Sequence, residues 1–137
     1  MKPMEILCIF IGGALGALLR YLTYTQIGHS FVATFLVNML GCFIIGFSAY
    51  LFGRNPSHLN KCIKSLLTVG LAGGLTTFST FVFDLYQFVV NSNIIGLLIY
   101  FLLSVLLGVC LVSLGINLAY SFMVKIIKSR KGRNING

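Results

Sequence analysis

Four long stretches of apolar residues divide the chain, at about residues 4–25, 31–52, 65–90 and 94–123. Each has room for the roughly 20 apolar residues that an α-helix needs to cross the hydrocarbon core of a bilayer. Short polar connectors around Gly28 and at 91–93 force neighbouring spans to run antiparallel. The pattern therefore predicts an all-α membrane protein, with one domain of four transmembrane helices over residues 1–137.

The third stretch is interrupted by the run Gly70-Leu-Ala-Gly-Gly-Leu-Thr-Thr-Phe-Ser-Thr-Phe81. Tandem glycine destabilises a helix, and the four hydroxyls that follow can pair with freed backbone groups. Discontinuous membrane helices of this kind place carbonyls near mid-membrane, where they bind small ions. The alternative is that small residues only let two helices pack closely. We favour an ion or substrate site and predict a break in the third helix near Gly73–Thr77.

Polar and aromatic residues elsewhere in the spans allow two interpretations each. Asn38 lies in the middle of the second span, with Thr34 on the same helical face, and this pair predicts either interhelical hydrogen bonds or a pore lining. Phe78 and Phe81 share a face of the helix that resumes after the break. Their rings either fill space or turn their edges, the positive part of the ring quadrupole, toward an anion.

The charged residues near or within the spans are few. Arg20 is the only basic residue inside a span. A charged residue at membrane depth usually marks a functional site, and the alternative is that the Arg20 side chain snorkels to the membrane surface. Asp84 and Glu5 are expected at the membrane interfaces. In the fourth span, Tyr100 and Ser104 share a face, which predicts either a continuing track of hydroxyls or a helix face packed through small residues.

Composition and charge agree with the bilayer as solvent. Hydrophobic residues make up 58% of the chain, charged residues 9%, and the mean hydropathy is +0.98. The net charge of +8 does not indicate nucleic-acid binding, because nine of the ten Lys and Arg residues fall at the N-terminus, in the middle loop and in the tail 125–137. These three segments lie on one side of a four-helix protein, so the positive-inside rule predicts that both termini are cytoplasmic.

The sequence gives no sign of catalysis. The four cysteines, Cys8, Cys42, Cys62 and Cys110, lack the spacing of a metal or redox motif and are predicted to be free thiols. No Ser-His-Asp arrangement, His/Cys cluster or phosphate-binding loop is present, so we do not expect an enzyme. The first apolar run lacks a cleavage site for a signal peptide and is interpreted as a retained helix.

Three motifs together resemble the CrcB/Fluc family of bacterial fluoride channels. They are Gly12-Gly-Ala-Leu-Gly-Ala-Leu-Leu-Arg-Tyr21, Asn38 with Gly41 and Gly46, and the run Gly70–Phe81. The resemblance follows all four spans in order. It implies a dimer of oppositely oriented subunits in the bacterial cell membrane, with two narrow fluoride pores and one structural sodium ion (Na⁺) at the centre of the interface.

The resemblance also implies roles for individual residues. Asn38 matches the pore amide, and Phe78 and Phe81 match the rings whose edges face fluoride. Gly73 and Thr76 match the positions whose backbone carbonyls hold sodium. The remaining matches are Arg20 near the vestibule and, as secondary polar contributors to the pathway, Thr34 and Ser79. The fourth span departs from the pattern, because Gly108 stands where a hydroxyl is expected, and Tyr100 and Ser104 are assigned to the pathway without a motif.

The charge count separates this chain from a subunit that inserts both ways. Dual insertion requires nearly balanced loop charges, and here the basic residues are on one side. We therefore expect one orientation and a related partner chain of opposite orientation, as a heterodimer.

The expected function is passive export of fluoride from the cytoplasm, which lowers toxic internal fluoride. One alternative is a small multidrug-type transporter, a class that depends on a carboxylate in the first span, where Glu5 is the only acid and lies at the edge. A non-conducting partner subunit is the other alternative.

Overall fold

The structure is a computed structural model that describes residues 3–53 and 58–133. Its helices are α1 (Pro3–Ile27), α2 (Phe31–Gly53), α3 (His58–Ser65), a π-helical segment (Leu66–Leu71), α4 (Ala72–Leu75), α5 (Phe78–Val90) and α6 (Ile94–Arg133). Strands are absent from the described ranges. Four helical stretches are long and apolar enough to cross a membrane: Pro3–Ile27, Phe31–Gly53, Leu59–Val90 and Ile94–Ile126. The prediction of an all-α protein with four membrane helices is confirmed.

Two helix boundaries differ from the prediction. The third span was expected to start near residue 65. In the structure its helix starts at His58, and α3 continues into the π-helical segment without a break. The last helix extends to Arg133, beyond the expected end near 123, since Lys and Arg are good helix formers and cations are favourable at a helix C-terminus. Its 40 residues measure about 60 Å. Lys2, Arg54 and the end of the tail at 134–137 lie outside the described residues.

Short turns join neighbouring helices. Gly28 ends α1 with φ of +85°, a left-handed conformation that glycine adopts without steric cost, and its N–H donates to Tyr24 O at 2.9 Å. The side chain of Asn93 caps α6, because its Oδ1 accepts a hydrogen bond from Gly96 N at 2.9 Å. These tight connections fold α1 back on α2 and α5 back on α6.

The third span breaks two residues after its tandem glycine. Gly73 and Gly74 are helical in α4, whereas Thr76 (φ −75°, ψ 158°) and Thr77 (φ −146°, ψ 118°) are extended. Helix α5 resumes at Phe78, with Thr77 Oγ1 as its cap, accepting from Thr80 N at 3.2 Å. The predicted position of the break is therefore confirmed, but its cause differs: two β-branched residues leave the helix, and the glycines do not.

The glycines instead allow backbones to touch. Gly12 and Gly16 of α1 face Gly70 and Gly74 of the third span, and a Cβ added to Gly70 would lie 2.7 Å from Ile9 O. The close-packing interpretation of the small residues thus holds for Gly70 and Gly74. Gly73 differs, because it is exposed and a Cβ there would meet nothing within 4 Å.

The side chains are arranged as in a protein surrounded by lipid. Small and medium residues fill the interior, with Ala33, Val37 and Ala119 fully buried, whereas Phe10 is 75% exposed and Ile95 73% exposed. Helices α2 and α6 also meet closely, since a Cβ on Gly115 would lie 2.6 Å from Phe43 O. The protein is a multi-pass membrane protein whose outer surface is apolar.

Two of the four cysteines are not free. Cys8 and Cys62 form a disulfide with a Cα–Cα separation of 5.9 Å, whereas Cys42 and Cys110 are free thiols. The prediction of four free thiols is therefore wrong for this pair. Its members are 54 residues apart in sequence, and they meet because helix α3 packs against α1.

The glycine contacts predict a difference between two adjacent substitutions. Gly12→Ala should lower the thermal midpoint of the detergent-solubilised protein by several degrees, because the new Cβ would lie 2.9 Å from Leu71 N, where backbone must move. Gly13→Ala is the matched control, since its Cβ would be 4.0 Å from Gly70 O, an ordinary contact. Equal midpoints for the two variants would contradict the proposed packing.

Candidate functional site

Asn38 holds the broken segment from the second span. Its Nδ2 donates to Thr77 O at 3.2 Å, and its Oδ1 accepts from Thr77 N at 2.8 Å. The carboxamide therefore satisfies both backbone groups of a residue that has left the helix, where lipid offers no partner. Because a carboxamide has two N–H donors, one remains after this pairing. Interhelical bonding by Asn38 is thus observed, and it leaves a donor available to a ligand.

Arg20 reaches the same break from the first span. Its guanidinium donates to Thr76 O at 3.0 Å, and the side chain is half-buried. The side chain is therefore directed to the break and does not snorkel to the membrane surface. Together with Asn38, Arg20 ties the two extended residues to two different helices.

The break frees a carbonyl of α4. Thr76 N makes the last helical bond, to Ala72 O at 2.9 Å, whereas Thr77 N, the next donor along the chain, goes to Asn38. Gly73 O is consequently released from the helical bond that Thr77 N would otherwise make to it. The carbonyls of Gly73 and Thr76 both stand outside the regular helical pattern, on a part of the chain where Gly73 is exposed.

A cavity of about 360 Å³ lies beside the break. Its lining includes Asn38, Thr76, Thr77, Phe78, Phe81 and Ser104. The structure therefore brings together four of the residues predicted for an ion pathway, from α2, α5 and α6. The Phe78 and Phe81 rings lie 6.3 Å apart, and Phe78 is 79% exposed.

Three other predicted pathway residues lie outside this cavity. Thr34 is fully buried, where its hydroxyl is 3.4 Å from the Tyr24 hydroxyl. Ser79 is exposed, with its oxygen 3.3 Å from Thr77 Oγ1. Tyr100 is buried, and its hydroxyl donates to Asp84 Oδ2 at 3.2 Å.

Sequence reasoning missed the partner of Asp84. This residue was expected at the membrane interface, and the structure adds that it is only 8% exposed and faces Tyr100. A signal for this pair was present in the sequence, because Asp84 and Tyr100 are each eight residues from Ser92 in the turn of an antiparallel hairpin. The Tyr100 ring also contacts Phe81, with centroids 5.3 Å apart.

A second cavity of about 460 Å³ lies at the other end of α5. It is bordered by Asp84 and by further polar groups that include His29, Ser30, Gln87 and Asn91. Tyr100 thus links the two cavities, since its ring touches Phe81 of the first and its hydroxyl bonds Asp84 of the second. Among the described residues, no group of three or more His, Cys, Asp or Glu side chains could hold a metal ion.

Four membrane helices around a polar break at mid-span define a small multi-pass membrane protein. The sequence model of one family, CrcB-like protein, Camphor Resistance (CrcB), matches residues 7–116. The chain belongs to this family.

Named relatives cover most of the chain. A protein of Staphylococcus saprophyticus named Fluoride-specific ion channel FluC 2 is 43% identical over 122 residues, which are 84% of this chain and 96% of the relative. A Phocaeicola vulgatus protein named Fluoride-specific ion channel FluC is 42% identical over 117 residues, 82% of this chain and 95% of the relative. A Desulfotalea psychrophila protein of the same name is 35% identical over 130 residues, 91% of this chain and all of the relative.

Removal of the Asn38 amide should weaken the fold itself. Asn38→Ala leaves two backbone groups of Thr77 without a partner, which costs about 1–3 kcal/mol for each buried group. A denaturant titration in mixed micelles should therefore show a large loss of unfolding free energy. The control is Ser113→Ala, whose exposed hydroxyl bonds only its own helix, at Val109 O. An Asn38→Ala variant as stable as that control would contradict the role of Asn38 as a clamp, a name we give to its two hydrogen bonds with the backbone of Thr77.

Proposed function

We propose that this chain is a subunit of a fluoride-specific ion channel that lets fluoride leave the cytoplasm passively. The observation that carries the proposal is the cavity at the break, which unites Asn38, Phe78 and Phe81. The relatives named as fluoride-specific channels support the identity of the ion. An ion channel of this kind is not an enzyme.

The groups around the cavity suit a small, strongly hydrated anion. A pore must replace water with several modest interactions and still release the ion. Asn38 offers its remaining N–H, and Phe78 and Phe81 offer ring edges, which carry partial positive charge. The Ser104 hydroxyl donates to Tyr100 O at 2.6 Å, so its proton is engaged and it is a weaker candidate. The Tyr100 proton is likewise engaged, by Asp84, and its ring contacts Phe81. Thr34 and Ser79 do not line the cavity, so we assign them no direct contact with the ion.

The freed carbonyls of Gly73 and Thr76 fit a structural sodium ion. Carbonyl oxygens are suitable ligands for a hard cation, and an oxygen has two lone pairs, so the bond from Arg20 leaves one on Thr76 O. A bound cation would offset the cost of moving an anion through low dielectric. It would also stabilise carbonyls that face no helical donor.

A second subunit accounts for the exposed face of the break. An unpaired backbone carbonyl in hydrocarbon costs several kcal/mol, and Gly73 is exposed beside a Phe78 that is 79% exposed. An antiparallel partner would cover this face and supply the other carbonyls of the sodium site. The one-sided charge favours a partner that is a related chain of opposite orientation.

One observation favours a coupled transporter as a second candidate. Asp84 is a buried carboxylate within the third span, and titratable acids at such positions are used in proton-coupled transport. The two candidates differ in their energy source, because a channel needs only the gradient of its ion. Glu5, in the first turn of α1, gives no support to a multidrug-type transporter.

Fluoride efflux from liposomes tests the channel directly. The chain, alone or together with a related chain of opposite charge bias, should release fluoride without a proton gradient and retain chloride, as followed with ion-selective electrodes. Phe81→Ile should slow efflux by about tenfold, since a lost ring interaction of about 1.4 kcal/mol is a factor of ten. Phe122→Ile is the control, because Phe122 is 52% exposed on α6, away from the cavity.

Two outcomes would count against the proposal. Properly inserted protein that releases no fluoride in either preparation would refute the channel. Efflux that appears only with an imposed proton gradient would favour the coupled transporter and place Asp84 at the centre of the mechanism.

The orientation of the chain is a separate prediction. A C-terminal reporter that is active only in the cytoplasm should be fully active, and one that is active only outside should be silent, because nine of ten basic residues lie on one side. Comparable activity of both reporters would overturn the fixed orientation and the need for a different partner, while leaving the channel assignment intact.

A further inference from the structure

We propose that Cys8 and Cys62 are a reversible redox pair, which closes when the cytoplasm is exposed to a low-molecular-weight disulfide. The closed form ties the start of the first span to helix α3. The proposal rests on the cytoplasmic orientation proposed above, and it does not depend on which ion the protein conducts.

The distance between the two backbones is compatible with a disulfide. The Cα–Cα separation of 5.9 Å falls within the range of about 4.4–6.8 Å that disulfides adopt. Cys62 is 9% exposed and its sulfur lies 3.7 Å from Met4 O, whereas Cys8 is half-buried. The described residues offer no further His, Cys, Asp or Glu that would complete a metal site with the pair.

The proposed cytoplasmic location of the pair determines which of its two states is the resting one. Both residues lie close to the ends that the basic residues assign to the cytoplasm, where thiols are kept reduced. Disulfides in that compartment are usually transient and sense oxidants. The resting state is therefore the dithiol, and the disulfide is the oxidised state.

The exposures of the two sulfurs assign the order of the steps. The Cys8 thiolate, which is the more accessible, attacks one sulfur of the small disulfide RSSR, and this forms a mixed disulfide and releases RS⁻. The Cys62 thiolate then attacks the Cys8 sulfur, which forms the Cys8–Cys62 bond and releases a second RS⁻. Two electrons pass from the protein to RSSR, and the two thiol protons go to solvent.

The bond acts on the segment that leads to the ion site. Helix α3 continues directly into the π-helical segment and α4, which ends beside Thr76. The tie therefore fixes the inner end of the broken span to α1, below the contacts between Gly12 and Gly70. We expect the closed form to resist unfolding better than the open form, because the cross-link closes a loop with a sequence separation of 54.

Mass spectrometry of protein from treated cells tests the pair. Cells that produce the full chain are exposed to 2,2′-dipyridyl disulfide or left untreated, and free thiols are then blocked with N-ethylmaleimide before purification. Untreated protein should carry maleimide on both Cys8 and Cys62. Treated protein should yield a cross-linked peptide that contains both residues and that disappears on reduction.

Variants make the result specific. Cys62→Ser should leave Cys8 with a thiopyridyl adduct and no cross-link, whereas Cys110→Ser, which changes an exposed free thiol, should keep the Cys8–Cys62 cross-link. The oxidised protein should melt about 5 °C or more above the reduced protein, and this shift should vanish in Cys62→Ser.

Two results would overturn the inference. One is no cross-link after oxidant, and the other is complete cross-linking in untreated cells, which would make the bond permanent. Fluoride efflux is measured on the same purified protein, so that the two proposals can fail separately. Protein that shows a reversible cross-link but releases no fluoride would contradict the channel function and leave the redox pair intact.

Discussion

The two hydrogen bonds between Asn38 and the backbone of Thr77 are the contact on which the rest of the structure depends. A helix cannot be interrupted at membrane depth unless its freed backbone groups find partners inside the protein. Asn38 supplies a donor and an acceptor at once, at 3.2 and 2.8 Å, and Arg20 adds a donor for Thr76 O. Without these side chains the extended conformation of the two threonines would have no compensation, and a continuous helix would be the more stable alternative.

The position of that clamp depends on glycine packing. Asn38 and Arg20 reach the break from different helices, so the backbones must lie close together before the side chains can meet. Gly12 and Gly16 let α1 approach the third span so closely that a Cβ at either position would collide with its backbone. Close backbone packing between α1 and the third span and polar capping at the break are therefore parts of one arrangement, in which the first allows the second.

The sequence predicted the spans and the break from the pattern of residues along the chain, and the family resemblance predicted the grouping of Asn38 with the phenylalanines. The sequence did not predict the cause of the break, since Gly73 and Gly74 favour unwinding by propensity and yet stay helical, Gly74 in close contact with α1. It also missed the Asp84–Tyr100 and Cys8–Cys62 pairs. These errors share a physical origin, because each concerns contacts between helices that the pattern along the chain does not encode.

The clamp also bears on the sodium ion and the second subunit proposed above. Asn38 takes the N–H of Thr77, so Gly73 O loses its helical donor while Gly73 faces outward. Lipid cannot replace that donor. The same bonds that open the helix therefore leave a carbonyl that the proposed cation or the proposed second subunit would satisfy. In the proposed dimer one ion would satisfy this carbonyl in both broken helices, which would link assembly to the break that borders the anion cavity.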